Sequence, residues 1–149
     1  MKIGTSIPSF SLLSEEGKPV TNTSLLGAPS VVYFYPKDDT PGCTAEACSF
    51  RDQFADFQDL GAQIVGISSD SVQSHKNFKE KHQLPYILLA DTAGEVRKAF
   101  GVKGTLFGLV PGRVTFIFDK KGKLIHEFSS QINVLKHVQE AVAILKKNQ

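Results

Sequence analysis

Cysteine is scarce in this chain of 149 residues: there are two, Cys43 and Cys48. That excludes the disulfide framework that staples small secreted domains, and a chain of this length can bury a core without one. It also leaves too few thiols for a structural zinc centre. His75, His82, His126 and His137 show no ligand spacing, so no metal is expected and each is expected at the surface. Charge of one sign is missing too: a net charge of +2 is too small to argue for nucleic acid or an anionic membrane as partner. No apolar run approaches the ~20 residues that cross a bilayer. The opening "MKIGTSIPSFSLL" has no apolar signal segment. The expectation is a cytoplasmic protein, or a plastid one whose transit segment has been removed. With no internal repeat or low-complexity stretch, residues 1–149 are expected to form one domain.

The apolar runs that are present are short. "VVYFY" (31–35) and "QIVGIS" (63–68) are rich in β-branched or aromatic residues and end in turn or capping residues, which predicts buried strands. Between them, Ala47, Phe50, Phe54, Phe57 and Leu60 recur at spacings of three and four. One continuous helix closed by Gly61 is expected there. Strand, helix, strand is a βαβ unit with parallel strands. A second helix is expected from a cap at Asp70 or Ser71 to His82, then a strand at "YILLA" (86–90), then a short helix ending at Gly101. "VTFIFDKKGKLIHEF" reads as a hairpin. The last helix starts at Asn133 and carries a stripe of Val134, Leu135, Val138, Ala141, Val142 and Leu145. A peripheral hairpin turning at Glu16-Gly17 precedes all of this. The sum is an α/β, thioredoxin-like fold with an N-terminal β-hairpin extension and a mixed sheet flanked by helices.

The chemistry concentrates where the first buried strand ends, in "YPKDDTPGCTAEAC". Thr40 suits an N-cap and Pro41 the first helical position, which puts Cys43 in the first turn. Unpaired amides and the helix dipole there favour an anion, so a thiolate is stabilised. A cysteine can also be a small buried apolar residue, but Thr40, Pro41 and Gly42 are expected to expose this one. Residues five apart in a regular helix have Cα atoms ~8.7 Å apart, whereas a disulfide tolerates at most ~7 Å. Cys43 and Cys48 can therefore bond only if the helix unwinds. The spacing also differs from C-x-x-C, which disfavours disulfide exchange on protein clients.

"YPKDDTPGCTAEACSFRD" closely resembles the active-site segment of peroxiredoxins, with P-x-x-x-T-x-x-C present as Pro36, Thr40 and Cys43. A second cysteine five residues on resembles the peroxiredoxin Q, or bacterioferritin comigratory protein, group. "LFGLVPGRVTFIFDKKGKL" is similar to plant and cyanobacterial members, with Arg113 at the position of the family's arginine.

The resemblance implies roles. Cys43 would be the peroxidatic nucleophile and Cys48 the resolving thiol, forming an intramolecular disulfide that thioredoxin or glutaredoxin reduces. Thr40 would offer its hydroxyl to the thiolate or peroxide, Arg113 would hold developing negative charge, and Pro36 would shape the pocket. No cofactor is implied, and a resolving cysteine in the same chain suits a monomer. Glu46 and Arg51 read as helix-face charges of indirect influence, and Phe107, Phe116 and Phe118 as core or pocket wall. Two other functions fit the same cysteines: a redox sensor that exposes a surface when its helix unwinds, and a general disulfide oxidoreductase.

Overall fold

The computed structural model describes residues 1–104 and 112–149. β3 (Ser30–Phe34) is buried along its whole length, because it is the inner strand between β4 (Gln63–Ser68), parallel to it, and β6 (Val114–Phe118), antiparallel. Seven strands join in the order β2-β1-β5-β4-β3-β6-β7. β5 (Ile87–Ala90) extends the parallel centre, and β7 (Leu124–Ser129) closes the hairpin begun by β6. The N-terminal hairpin, β1 (Ser11–Ser14) and β2 (Pro19–Thr21), forms the opposite edge through antiparallel pairing of β1 with β5. Its turn uses Gly17 at φ +74°, a conformation open to glycine because it has no Cβ.

Alternation along β3 sends residues to two cores. Val31, Tyr33 and Tyr35 pack with Ala47 and Phe50 of α1 (Pro41–Asp52), Phe57 of α2 (Phe54–Asp59), Phe78 of α3 (Val72–His82), and Val138, Ala141 and Leu145 of α5 (Val134–Lys147). Val32 and Phe34 face the other way, to Phe116, Phe118, Phe100 and the N-terminal Ile7 and Phe10, with Val96 of α4 (Glu95–Ala99). Helices on both faces, the two hairpins and the parallel centre agree with the reading of the sequence. Among the described residues, no helix is long and apolar enough to cross a membrane.

Two local expectations fail. The single helix expected after β3 is broken at Gln53 into α1 and α2, so that Phe50 and Phe57 are both fully buried while Phe54 is only partly so. In α5 Leu135 is 52% exposed, and His137 occupies the inward face instead. A polar side chain there is invisible to an apolar-stripe count.

Candidate active site

After β3 the chain crosses a loop fixed by one buried carboxylate. Asp38 accepts from Tyr35 Oη (2.6 Å) and Ser74 Oγ (2.8 Å), and its Oδ2 lies 2.7 Å from His75 Nδ1. The other ring nitrogen of His75 faces the Leu89 carbonyl at 2.9 Å. The loop is thus tied to α3 and to the end of β5 before α1 begins. Thr40 flanks α1 with an extended backbone, Pro41 is the first helical residue, and Cys43 falls in the first turn. The expected side-chain cap is absent: Thr40 Oγ1 donates to the Lys37 carbonyl at 2.9 Å, closing the loop instead of serving a helical amide.

Cys43 is 1% exposed, contrary to the expectation that Thr40, Pro41 and Gly42 would expose it. The side chain points inward because Cys43, Ala47 and Phe50 share the buried face of α1. There its Sγ meets Arg113, whose Nη2 donates across 3.4 Å. Arg113 stands just before β6 and is 5% exposed. Gly42 makes room for its guanidinium, and Gly112 lets the chain before it pass close to Lys103. A Cβ at Gly42 would come within 3.2 Å of Nη2, and one at Gly112 would strike the Lys103 carbonyl.

Arg113 is held from behind. Its Nη1 donates to Glu46 Oε1 at 2.7 Å, and its Nε to the Gln131 carbonyl at 3.3 Å. Burial opposes the guanidinium charge, but Glu46 and Cys43 outweigh it and raise the pKa. Glu46 is wholly buried, and burial pushes its carboxyl up to about 8 even though Arg113 pulls the other way. His137 comes next: Thr115 Oγ1 lies 2.8 Å from its Nδ1, and Nε2 is 2.7 Å from the Ser130 carbonyl. Its Nδ1 is also 3.7 Å from Glu46 Oε2. Burial lowers the imidazole to about 4, and Arg113 adds to the effect.

The sequence therefore understated Glu46. Its signal was positional: Cys43, Glu46, Ala47 and Phe50 lie at i, i+3, i+4 and i+7, so the glutamate falls on the apolar stripe. The histidine expectation is also corrected, since His75 and His137 are fully buried and His82 and His126 partly so. Arg51 spends its donors on the His82 carbonyl and Asp52. Cys48, half-buried, and Cys43 are both free thiols within intact α1. Pro36 is half-buried at the bend after β3, and Phe116 and Phe118 belong to the second core. Phe107 lies outside the described residues. Among those described, Asp38, Asp70 and His75 bring metal-type donors within 4.8 Å of one another. Their facing atoms already serve one another, Ser68, Ser74 and the Asp38 amide.

A thiol in the first turn of a helix, set against a buried arginine on a thioredoxin-like sheet, defines a cysteine-based redox protein. Residues 3–127 match the AhpC/TSA family. The chain is 46% identical over 143 residues to the chloroplastic peroxiredoxin Q of Sedum lineare, covering 96% of this chain and 77% of that protein. With the rice protein of the same name identity is 45%, and the chain spans 66% of its length. A peroxidoxin of Mycobacterium tuberculosis superimposes with a TM-score of 0.92 at 38% identity, covering 100% of this chain and 99% of that one. A bacterioferritin comigratory protein of Xanthomonas campestris, studied for alkyl peroxide reduction, gives 0.86 at 32%, covering 93% and 91%. The chain belongs to the AhpC/TSA family, the thiol peroxidases known as peroxiredoxins.

Proposed function

We propose that Cys43 is the peroxidatic cysteine and Cys48 the resolving one. The Cys43 thiolate attacks one oxygen of a hydroperoxide, the O–O bond breaks, and the departing oxygen takes a proton to leave as water or alcohol. Sulfur keeps the other oxygen as sulfenic acid. Cys48 displaces that oxygen as water, giving an intramolecular disulfide, which a dithiol protein reduces by exchange. The observation that carries this reading is the 3.4 Å contact of buried Arg113 Nη2 with Cys43 Sγ. The guanidinium favours negative charge on sulfur and, once peroxide binds, on the oxygen being released. Thr40 orders the loop through Lys37, with its hydroxyl available to the peroxide after a rotation. Pro36 shapes the approach.

Closing the disulfide requires α1 to unwind from Cys43 through Cys48, because both thiols lie in its regular turns. Hydrogen peroxide and organic hydroperoxides are the substrates, a reading supported by the Xanthomonas relative. Thioredoxin is the reductant, with glutaredoxin the alternative, and the enzyme is a monomer of one domain, 1–149. The unbroken sheet supports the single domain. We place it in the cytoplasm or a plastid, and the chloroplastic relatives support the plastid.

Peroxide-dependent NADPH consumption with thioredoxin and its reductase tests the reading. Cys43→Ser abolishes it. Cys48→Ser reacts once and then over-oxidises. Full turnover by Cys43→Ser would reject the roles assigned.

A further inference from the structure

Behind Arg113, Glu46 Oε2 lies 3.7 Å from His137 Nδ1, and among the described residues no donor reaches that oxygen. His137 Nε2 is 2.7 Å from the Ser130 carbonyl and so carries a hydrogen, which leaves the Nδ1 of a neutral ring with a lone pair. The same Nδ1 is the atom 3.7 Å from Glu46 Oε2, which is buried without a hydrogen-bond partner among the described residues. The Thr115 hydroxyl has one hydrogen and lies 2.8 Å from Nδ1, so it cannot serve both. A proton on either atom turns an electrostatic conflict into an attraction, which becomes a hydrogen bond when the two atoms close in from 3.7 Å.

We propose that Glu46 and His137 share a single proton behind Arg113, held while Cys43 is a thiolate and released when the sulfur loses its charge. This rests on the assignment of Cys43 as the peroxidatic cysteine. The reason is charge balance in a dry site. With Cys43 ionised, the guanidinium is already neutralised, and a second anion at Glu46 is unfavourable. Once sulfur is bonded to oxygen or to Cys48, Arg113 needs Glu46 as its counter-ion. His137 is a positioning residue in this scheme, since it acts on sulfur only through Glu46 and Arg113.

The other groups around the pair do not supply the proton. Tyr33 and Tyr86 remain protonated because burial raises both far above the ordinary phenol range. On β7, Phe128 offers His137 only a ring edge, 4.7 Å between centroids. Lys136, next to His137 in α5, reaches over that same Phe128 ring.

Thiolate, thiol, hydrogen peroxide and one further proton give a disulfide and two waters. If the pair releases one proton in the same turnover, solution supplies none. Reduced enzyme is mixed with one equivalent of peroxide in weak buffer near neutral pH, and a pH indicator counts protons taken up per disulfide formed. The wild type is expected to take up close to none. Glu46→Gln, which cannot bind the proton, is expected to take up close to one. His137→Gln gives Oε2 an amide donor, keeps Glu46 ionised, and also moves toward one. Uptake of one proton by the wild type overturns the proposal, as does a count of zero in Glu46→Gln. A wild-type count of one overturns the proposal even if a variant fails to fold, and Glu46→Gln separates a proton-holding pair from a neutral Cys43 thiol, which would give zero in both. Peroxide consumption by Cys43→Ser would instead reject the cysteine assignment beneath it.

Discussion

Arg113 Nη1 and Glu46 Oε1 are 2.7 Å apart, and the two side chains are 5% and 0% exposed. A pair this buried is fixed by its partners, because breaking one side strands a charge away from water. The same arginine reaches Cys43 with its other terminal nitrogen. The support for the fold and the polarity of the thiol site therefore rest on one side chain.

Replacing Arg113 separates those two tasks. Arg113→Ala leaves the buried Glu46 Oε1 without its donor and is expected to cost about 1–3 kcal/mol, read from a denaturant midpoint. Arg113→Lys keeps the charge but supplies one point donor where the guanidinium supplies a fork. Its peroxide reaction is expected to slow by roughly 10²-fold in stopped-flow, with a smaller stability loss. Equal rates for the Arg113→Lys variant and the wild type would remove Arg113 from the chemistry.

The Glu46 carboxyl gives stability a sign with pH. Folding raises its pKa from 4.5 to about 8, so between those values the native state binds more protons than the unfolded one. Stability therefore falls as pH rises through that window. His137 shifts from 6.5 to about 4 and contributes the opposite slope over that lower range. Above 6.5 His137 no longer offsets the Glu46 contribution. Relative to Glu46→Gln, the wild type is expected to lose stability from there to about 8, by at most ~1.4 kcal/mol per pH unit. Glu46→Gln should flatten that slope in urea unfolding measured across pH.

Tyr86 holds the part of α1 that must unwind. Its Oη donates to the Ala47 carbonyl at 3.0 Å and lies 2.8 Å from Tyr33 Oη. Phe50 is stacked on Tyr33 with ring centroids 4.5 Å apart, which anchors the helix beyond Cys48. Tyr86→Phe removes the latch at Ala47, at a cost of about 1–3 kcal/mol including the Tyr33 hydroxyl it leaves unpaired. Disulfide formation after a peroxide pulse is expected to accelerate several-fold. Slower closure would show that Tyr86 does not restrain the helix.

Asp38 is the loop's anchor, so Asp38→Asn is expected to loosen the approach to α1. The amide keeps one acceptor atom, so it can no longer accept from Tyr35 at Oδ1 and Ser74 at Oδ2 together. Hydrogen exchange at Lys37–Cys43 should quicken while that of the central strands stays unchanged. Uniform quickening would mean a global loss of stability instead.

Much of the fold was legible because its signals are local. The apolar runs of β3 and β4, Ser71 capping α3, and the glycines at the turns each act within a few residues. The break at Gln53 was not legible, since the stripe through Phe50, Phe54 and Phe57 permits one helix, and packing of Phe50 and Phe57 against the sheet selects two.

The peroxiredoxin segment, the place of Cys43 in the first turn of α1, and the five-residue gap that an intact helix cannot bridge are all readable from the chain alone. These depend on chain geometry over less than two turns. The burial of Cys43 and the placement of Glu46 and His137 behind Arg113 arise from contacts between distant parts of the chain. The bond of Thr40 to Lys37 in place of a cap forms in a loop that such contacts hold. Glu46 and Arg113 are 67 positions apart in the chain. Whether a glutamate on a helix meets water or a guanidinium depends on which face the sheet covers. The apolar stripe of α1 marks Glu46 for burial, but its partner is set by the packing of α1 on α5 and of α5 on β6.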